Sequence, residues 1–334
     1  MSLTVLQPGP MVTVQDAGRF GLRDSGVSAA GPMDAPAHRL ANALVGNPTG
    51  AAALEFAGMG GRFRVETGCR VALTGVTAPL EIDGQACAAN AAHRADAGAE
   101  IRIGAASDGV WGYLALSGGI ETAPLMGARA THLRAGLGRA LEAGDSLPLG
   151  ATDPQAPCLA LGGPLPDESG PIRVVLGPQD DRFSDEIRAR LSDAEFTVSS
   201  KRDRMAMVLD DVTLPAEHGH DIVSDGTVPG SIQVPASGQP IVLMAESQTT
   251  GGYAKIATVI GPDLPRLAQM ATGTQFRFAV LTRDEAEEAL IAARSAEAER
   301  LAALRPQAAT RLTSEFLLSC DLVGGVWPGD EVVP

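Results

Sequence analysis

The sequence predicts a mainly β fold with a few helices, arranged in two domains. Its 334 residues are too many for one ordinary small domain, because one domain per about 150 residues is the usual expectation. Its 39 glycines and 23 prolines divide the chain into short segments, as turns between strands do. Hydrophobic residues make up 45% of the chain and aromatic residues only 4%, so we expect an aliphatic core. Many short strands indicate a sandwich or a barrel.

Strands are expected where alternating or β-branched residues fill a segment between turn residues. The segments that fit are 11–15, 62–66, 70–74, 110–116, 172–176, 241–245, 255–260 and 275–281. The glycine-rich residues 58–61 open no helix, which favours a turn between strands over a dinucleotide-binding loop.

Three helices carry recognisable signals. Asp34 is placed to cap a helix that Gly46 ends. Residues 182–191 place apolar side chains four residues apart on one face. Thr282 and Glu285 have the spacing of a capping box, and the Ala-, Glu- and Arg-rich segment after them predicts the longest helix, which ends near residue 304.

A stretch rich in proline, glycine and acidic residues separates the two predicted domains. Residues 151–171 show little periodicity, so we predict a linker there. The domains on either side are 1–150 and 172–305, the second with the long helix at its end. Residues 306–334 are too apolar for a plain acidic tail and show no clear period, so they receive no assignment.

Charge and cysteine content narrow the cellular setting. The 26 basic and 40 acidic residues give a formal charge of −14, which repels nucleic acid and anionic membranes. No apolar run approaches the roughly 20 residues that cross a bilayer, and residues 1–5 lack the basic leader of an export signal. The four cysteines form neither a zinc motif nor a disulfide pattern. We therefore predict a cytoplasmic protein with no nucleic-acid or membrane partner.

Several common catalytic motifs are absent from the sequence. The chain has two lysines, Lys201 and Lys255, and neither stands in a Walker A loop. Neither a nucleophile elbow nor a zincin motif occurs. His218 and His220 could face a metal from one side of a strand, but no third ligand accompanies them. A polar loop is favoured there, and no metal is predicted.

The densest polar segment is residues 246–255, between two apolar segments. Gly251 and Gly252 would let backbone amides turn inward and form a nest for an anion or a developing oxyanion. A β-hairpin turn with polar side chains explains the same residues about equally well. Lys255 slightly favours a binding site, because lysine is rare in this chain and its charge could hold a carboxylate.

Two smaller polar clusters are weaker candidates. Asp16 and Arg19 lie within residues 15–21, where an ion pair that closes a turn is a commoner role than ligand binding. Arg204 lies between Asp203 and Met205, where a structural salt bridge is again the favoured interpretation.

Eight segments, read together, match the pattern of one known family. They are 13–21, 31–34, 40–47, 177–181, 199–205, 232–235, 248–253 and 255–259, and the Gln-Thr-Thr-Gly-Gly-Tyr of residues 248–253 is the most specific. In order and spacing they closely resemble the allophanate hydrolase subunit 2 family, over residues 3–290. That family includes the C component of bacterial ATP-dependent 5-oxoprolinase and half of the carboxyltransferase domain of urea amidolyase.

The resemblance implies two cyclophilin-like β-barrel domains and at least one partner protein. It implies that the chain works beside a B-like protein, similar to allophanate hydrolase subunit 1. With a further A-like subunit, such a complex opens the cyclic amide 5-oxoproline to glutamate at the expense of ATP. The missing phosphate loop is compatible with ATP bound through a partner subunit. The chain is then an enzyme subunit whose substrate is a small polar amide.

Motif position and residue chemistry give the candidate site residues their expected roles. The amides of Gly251 and Gly252 and the hydroxyls of Thr249 and Thr250 would stabilise negative charge on the amide oxygen. The expected catalytic residues are Gln248, Thr249, Thr250, Lys255 and Asp16, and the expected substrate-binding residues are Gly251, Gly252, Tyr253, Arg204, Gln233 and Arg19.

Charged residues would orient the substrate and water. Lys255 or Arg204 would pair with the substrate carboxylate, and Asp16 would orient water. The chain departs from the family beside this site: Ser247 stands where Arg is usual, which removes a positive charge, and Ala254 stands where Pro is common.

Two other functions also fit the resemblance. The first is carboxyl transfer from carboxybiotin to urea or another amide, as a subunit of a urea carboxylase. The chain has no Met-Lys-Met carrier sequence, so the biotin would be attached to another protein. The second is a non-enzymatic role as the binding partner of a B-like protein that resembles a kinase inhibitor. Only an enzymatic role predicts that changing Lys255 or Thr250 abolishes turnover while the complex stays intact.

Overall fold

The computed structural model describes residues 1–163, 165 and 169–307. Strands far outnumber helices in that part of the chain, which confirms the predicted fold class. The unassigned tail from residue 308 onward lies outside the described residues. Within the described part, no helix has the length and hydropathy to span a membrane.

Two antiparallel sheets pack face to face in the N-terminal half. The strands are β1 (Ser2–Pro8), β2 (Val12–Gln15), β3 (Ala53–Ala57), β4 (Met59–Val65), β5 (Cys69–Thr74), β6 (Leu80–Ile82), β7 (Gln85–Cys87), β8 (Ala92–Ala95), β9 (Glu100–Ala105), β10 (Trp111–Leu116) and β11 (Ser146–Pro148). One sheet has the order β11-β1-β4-β9-β6-β7 and the other has the order β2-β3-β10-β5-β8. The aliphatic and aromatic side chains between them form one core, which includes Val5, Leu54, Phe63 and Leu73.

A helix covers the outer face of the second sheet. It is α1 (Ala35–Leu44), and the Asp34 side chain accepts a hydrogen bond from the Ala37 amide at 3.0 Å, as the sequence predicts. Leu40 and Leu44 on its inner face join Tyr113 in a second core, which continues into the C-terminal half. This shared core holds α1, and with it the loop before α1, against the C-terminal half.

The C-terminal half is a nearly closed barrel. Its strands are β13 (Ile172–Leu176), β14 (Phe196–Arg202), β15 (Ala206–Asp210), β16 (Asp221–Gly226), β17 (Ser231–Val234), β18 (Ile241–Leu243), β19 (Thr250–Val259), β20 (Gln275–Phe276) and β21 (Phe278–Val280). Two short strands, β12 (Leu159–Ala160) and β22 (Arg305–Pro306), form a separate two-stranded sheet. The main sheet has the order β20-β14-β15-β18-β17-β19-β13-β21, and β16 pairs with the first part of β19. Because β20 and β21 are separated only by Arg277, they join the two ends of the sheet.

Three further helices accompany the barrel. They are α2 (Asp185–Asp193), α3 (Leu264–Gln269) and α4 (Arg283–Ala302). The second predicted helix starts at Asp185 rather than at residue 182, because Ser184 caps it and a 3-10 turn precedes it. The capping box of Thr282 and Glu285 forms as predicted. Arg39 of α1 pairs with Glu297 of α4, so the long helix also contacts the N-terminal half.

Two local expectations are wrong. Of the glycine-rich residues 58–61, only Gly58 lies between two strands; Met59 begins β4, which pairs with β1 and β9. The strand predicted from residue 255 begins five residues earlier, at Thr250. The second difference changes the interpretation of the polar segment.

Candidate functional site

The polar segment 248–253 runs into a strand and does not form a bend. Gly251 and Gly252 lie in β19, neither has a positive φ, and Gly251 is in register with Asp225 of β16. The predicted nest of inward-turned amides is therefore wrong, because sheet pairing holds this backbone extended. The candidate site consists instead of side chains that converge on this strand and on the residues before it.

The first group of side chains, which we call the strand cluster, comprises Gln179, Asp225 and Lys255. Lys255 is only 2% exposed, and its Nζ donates to Asp225 Oδ2 at 2.8 Å. Gln179 donates to the same carboxylate oxygen at 3.2 Å and accepts from the Lys255 amide at 3.1 Å. These hydrogen bonds, first that from Lys255, lower the pKa of Asp225. The Lys255 ammonium therefore contacts the half-exposed carboxylate of Asp225 near the protein surface. An ammonium can donate three hydrogen bonds, and the contact with Asp225 is one of them.

The second group pairs two glutamines over Gly251. Gln248 Nε2 donates to Gln233 Oε1 at 3.2 Å. The other end of that amide, Gln233 Nε2, is buried and has no hydrogen-bond acceptor among the described residues. A Cβ at Gly251 would lie 2.3 Å from this nitrogen, so only glycine lets the amide rest on the strand. The structure thus brings together three residues that the sequence assigned to one site.

The remaining predicted residues of this segment differ in exposure. Thr249 is half-buried and its carbonyl accepts from the Thr227 amide at 3.0 Å. Thr250 and Tyr253 are exposed on the outer part of β19, and Gly252 lies between them. These positions leave the side chains of Thr250 and Tyr253 open to a ligand or to a partner surface.

The third group, which we call the seam cluster, joins the two halves of the molecule. Arg204 is 2% exposed and pairs with Glu55 of the N-terminal half and with Glu246 of the C-terminal half, the latter at 2.6 Å. Its third donor reaches the carbonyl of Gly31 at 2.7 Å. Although burial lowers the pKa of Arg204, the carboxylates of Glu55 and Glu246 raise it above its ordinary value. Arg204 is fully engaged by the protein, so these contacts do not favour its predicted role as a ligand of the substrate carboxylate.

Glu246 also belongs to a chain of side chains that the sequence did not single out. Its Oε2 accepts from the Leu133 amide at 3.0 Å and lies 3.5 Å from His132 Nδ1. His132 Nε2 lies 2.9 Å from Ser28 Oγ, and all three side chains are buried. Burial lowers the pKa of His132, with Glu246 acting in the opposite direction. A neutral imidazole between a hydroxyl and a carboxylate can accept or donate a proton.

Asp16 and Arg19 lie on the N-terminal side of the seam. Asp16 accepts hydrogen bonds from the amides of Gly18, Arg129 and Ala130 at 2.9, 2.6 and 3.2 Å. These bonds fix the loop at 129–130 and do not favour the predicted role of Asp16 in orienting water. Arg19 is 3% exposed and reaches the Ala130 carbonyl at 2.5 Å.

Some site residues that were not predicted nevertheless have a signal in the sequence. Glu55 is an isolated acid inside the apolar strand β3, and a charge at such a position needs a buried partner. Gln179 lies in a segment that already carried the family resemblance. Asp225 and His132 gave no local signal, because their roles depend on which strand and which loop lie opposite them.

The three groups provide hydrogen-bond donors and one candidate proton carrier. Guanidinium, ammonium and amide donors are suited to carboxylate and carbonyl oxygens. In the described part of the chain, no group of three histidine, cysteine or acidic side chains is arranged to hold a metal ion. A cavity of about 290 Å³ lies in the N-terminal half, lined in part by Leu125, whose carbonyl accepts from Arg19, and by Arg129, whose amide donates to Asp16.

Comparison with known proteins places this geometry in context. The family model of the carboxyltransferase domain, subdomain A and B, matches residues 25–280. The C component of Escherichia coli 5-oxoprolinase is 36% identical over 291 residues, which cover 86% of this chain and 94% of that protein. The C component of Haemophilus influenzae 5-oxoprolinase is 33% identical over 288 residues, 85% of this chain and 93% of that protein. Urea amidolyase of Lachancea kluyveri is 28% identical over 319 residues, which cover 85% of this chain but 17% of that longer protein.

Two solved structures share the fold. The crystal structure of TTHA0988 matches with a TM-score of 0.76 and 37% identity over 83% of this chain and 55% of that one. The crystal structure of the Kluyveromyces lactis urea amidolyase matches with a TM-score of 0.81 and 24% identity over 94% of this chain and 20% of that one. The chain therefore spans about half the length of the first structure and a fifth of the second.

Proposed function

Because the chain belongs to the family of the carboxyltransferase domain, subdomain A and B, we propose that it is the C component of a heteromeric, ATP-dependent 5-oxoprolinase. The expected kinship with the allophanate hydrolase subunit 2 family is confirmed, since the relatives include 5-oxoprolinase C components and urea amidolyase. One observation carries the proposal: the alignment with the E. coli protein covers 94% of its length at 36% identity.

In this proposal the chain binds the amide substrate and its partners supply the rest of the reaction. Gln233 and Gln248, held together over Gly251, are placed to donate to the amide oxygen. Lys255, on the same strand as Gly251, supplies positive charge. Residues with a phosphate-binding pattern are absent from the sequence, so we place ATP on a B-like or an A-like partner. The exposed Thr250 and Tyr253 are available to contact that partner.

The experiment reconstitutes the chain with its B-like and A-like neighbours and measures release of glutamate from 5-oxoproline with ATP. The two lysines provide a matched pair of variants, because Lys255 is buried in the strand cluster and Lys201 is exposed. We expect Lys255→Met to lower turnover by about 100-fold, the order for one charge-assisted contact to a reacting group. Lys201→Met should be neutral, and both variants should still assemble with the partners.

Two results would contradict the proposal at different levels. Full activity of Lys255→Met would show that the strand cluster is not part of the site, and the family assignment would still hold. Absence of glutamate release from every mixture of the proteins would reject the 5-oxoprolinase function itself.

Carboxyl transfer is the second candidate function. The matching family model is that of a carboxyltransferase domain, and urea amidolyases are among the relatives. A biotin carboxylase and a biotin carrier would then accompany the chain. Carboxylation of urea by such a mixture, without glutamate release from 5-oxoproline, would favour this function over the first.

A further inference from the structure

The two-stranded ribbon of β16 and residues 250–253, the first part of β19, carries an almost fully exposed apolar side chain. Val223, in β16, is 92% exposed, the highest value among the exposed large hydrophobic residues that the structure describes. Tyr253, in register with Asp221 of β16, is 41% exposed. Within the described residues β16 pairs only with β19, so its other edge is open. Open edges with apolar side chains are available for contact with another protein.

An apolar groove continues this surface at the end of β13. Its volume is about 450 Å³, and it is lined in part by the exposed side chains of Leu176 and Val280. Gln179, three residues after Leu176, donates to Asp225 of β16 at 3.2 Å. The strand cluster therefore connects the groove to the ribbon. Single exposed apolar residues are ordinary, but a contiguous apolar surface beside a site indicates binding.

The charged side chains around the ribbon are mostly acidic. We call residues 176–182, 217–226 and 250–253 the acidic face. Arg182 Nη1 donates to the carbonyls of His218, Gly219 and Asp221 at 3.1, 3.3 and 3.2 Å, which ties the first two segments together. Lys255 adds a positive charge beside the face, but it is buried and paired with Asp225. The face has one basic residue, Arg182, and five acidic residues, which are Asp180, Asp181, Glu217, Asp221 and Asp225.

This charge pattern selects among the possible occupants of the face. Acidic side chains repel the phosphates of a free nucleotide. In a symmetric contact between two copies of the chain, the acidic faces would meet each other, and each copy has a formal charge of −14. A protein surface with an apolar centre and lysine or arginine around it is complementary in both respects.

The proposed function requires a protein to reach this part of the molecule. Gln233 and Gln248 are held together over Gly251, which belongs to the ribbon. ATP held by a partner can act on an amide bound there only if that partner lies against the ribbon. The partner must therefore cover residues that the isolated chain leaves exposed, Val223 among them.

We propose that the acidic face binds the B-like subunit, through an apolar contact to Val223 and the groove and through basic side chains opposite Asp221. This inference rests on the proposed function and adds the surface and the chemistry by which the partner binds. Neither the A-like subunit nor a second copy of the chain occupies this face.

Calorimetric titration of the purified chain with the purified B-like protein tests the proposal. We expect Val223→Ser to raise the Kd by about 10-fold, the value of one apolar anchor in an interface. Asp221→Lys should raise the Kd by about 10-fold at low salt and by less at high salt, because salt screens the attraction between exposed charges. Both residues are exposed, so the melting temperatures should equal that of the wild type.

Matched controls lie in the N-terminal half. Met59 is an exposed apolar residue at the start of β4, and Asp96 is an exposed acidic residue in a turn. Met59→Ser and Asp96→Lys should bind the B-like protein with the wild-type Kd.

The remaining outcomes overturn the proposal. They are a wild-type Kd for either Val223→Ser or Asp221→Lys, no binding of the wild-type chain to the B-like protein, and a loss of binding shared by the two controls. Titration with the A-like protein and sedimentation of the chain alone examine the other occupants. Weaker A-like binding in Val223→Ser, or a wild-type dimer that this variant abolishes, would also overturn it.

Glutamate release by the complete mixture is measured in parallel, so the two proposals can fail separately. Release of glutamate together with unaltered binding of the variants would retain the proposed function and reject the acidic face as the docking surface. Weakened binding of both variants in a mixture that releases no glutamate would retain the docking surface and reject the proposed function.

Discussion

Buried ionisable side chains in this protein differ in what compensates for the loss of water. Arg204 has two carboxylates, and Lys255 has one that is half-exposed. His38 has neither. It lies in α1 against Tyr113, with its Nε2 3.1 Å from the Gln15 carbonyl. Burial lowers its pKa from 6.5 to about 4, so the folded protein holds this ring neutral.

The pKa of His38 predicts a loss of stability in mild acid. The unfolded imidazole binds a proton near pH 6.5 and the folded one only near pH 4, so the unfolded state gains protons first as the pH falls. The His38 contribution is present in full above pH 6.5. As the pH falls from 6.5 to 4, protonation of His38 in the unfolded state decreases the free energy of unfolding by about 3 kcal/mol.

Urea unfolding at a series of pH values measures this contribution. Subtracting the curve of His38→Gln from that of the wild type cancels the other titrating groups, and His218→Gln, at an exposed position, is the control. Parallel curves for the wild type and His38→Gln would show that the ring is not the source.

The candidate site was predictable only as far as residue type carries information. Lys255 stood out because lysine is rare, and Gln248 and Gly251 stood out because they lie in a dense polar segment. Their partners were not predictable, because Asp225 meets Lys255 only when β16 pairs with β19. The role of Gly251 also depends on a residue distant in the sequence. Glycine is required there by the close approach of Gln233, and no turn is involved.

At the scale of elements, the segment that closes the barrel combines pairing with packing. Phe276 of β20 and Phe278 of β21 both contact Phe196 of β14, with ring centroids 6.2 and 5.0 Å apart. Phe278 also meets Phe276 edge to face at 5.1 Å. Three of the chain's few aromatic rings thus hold the two ends of the sheet together.

Removing one of these rings should weaken the whole barrel. Phe278 is 2% exposed, and we expect Phe278→Ala to decrease the free energy of unfolding by about 3 to 5 kcal/mol through lost packing and a cavity. Phe20, which is 76% exposed, is the control, and Phe20→Ala should change it by about 0.5 kcal/mol or less. Denaturant titration of both variants measures the difference, and similar midpoints would contradict the closing role.

Helix ends were more predictable than strand ends. Asp34 and the Thr282 capping box act within a few residues, so their effect is visible in the sequence. Strands such as β6 and β7 have only three residues each. A strand that short has almost no periodicity of its own, and its pairing comes from distant parts of the chain.

At the scale of the whole molecule, the seam cluster fixes how the two halves meet. Arg204 from the loop after β14 is bonded to Glu55 of the second N-terminal sheet and to the carbonyl of Gly31. The same arginine holds Glu246, which begins the segment that contains Ser247 and Gln248. The candidate site is therefore built from both halves and requires their alignment.

Removal of the Arg204 side chain tests how far the contact between the two halves depends on the seam cluster. Arg204→Gln leaves Glu55 and Glu246 buried without their shared cation, and we expect a loss of about 3 to 5 kcal/mol in the free energy of unfolding. The control is Arg134→Gln, which breaks the exposed pair with Asp203 and should change that free energy by about 0.5 kcal/mol or less.

A second substitution separates charge from packing. Adding Glu55→Gln to Arg204→Gln removes one of the two stranded carboxylates, so part of the lost stability should return. Urea unfolding of the wild type, the two single variants and the double variant measures the coupling. A double variant that is less stable than Arg204→Gln would contradict an electrostatic origin.

The segment that closes the barrel, β20 and β21, also determines when each half of the protein can complete its fold during translation. Every strand of the two N-terminal sheets lies between residues 2 and 148, so that half has all its pairing partners early in translation. Strands β13 and β14 must wait for β20 and β21, which emerge about a hundred residues after β13. During that interval the nascent barrel carries two open edges, which are the features that recruit chaperones or neighbouring chains.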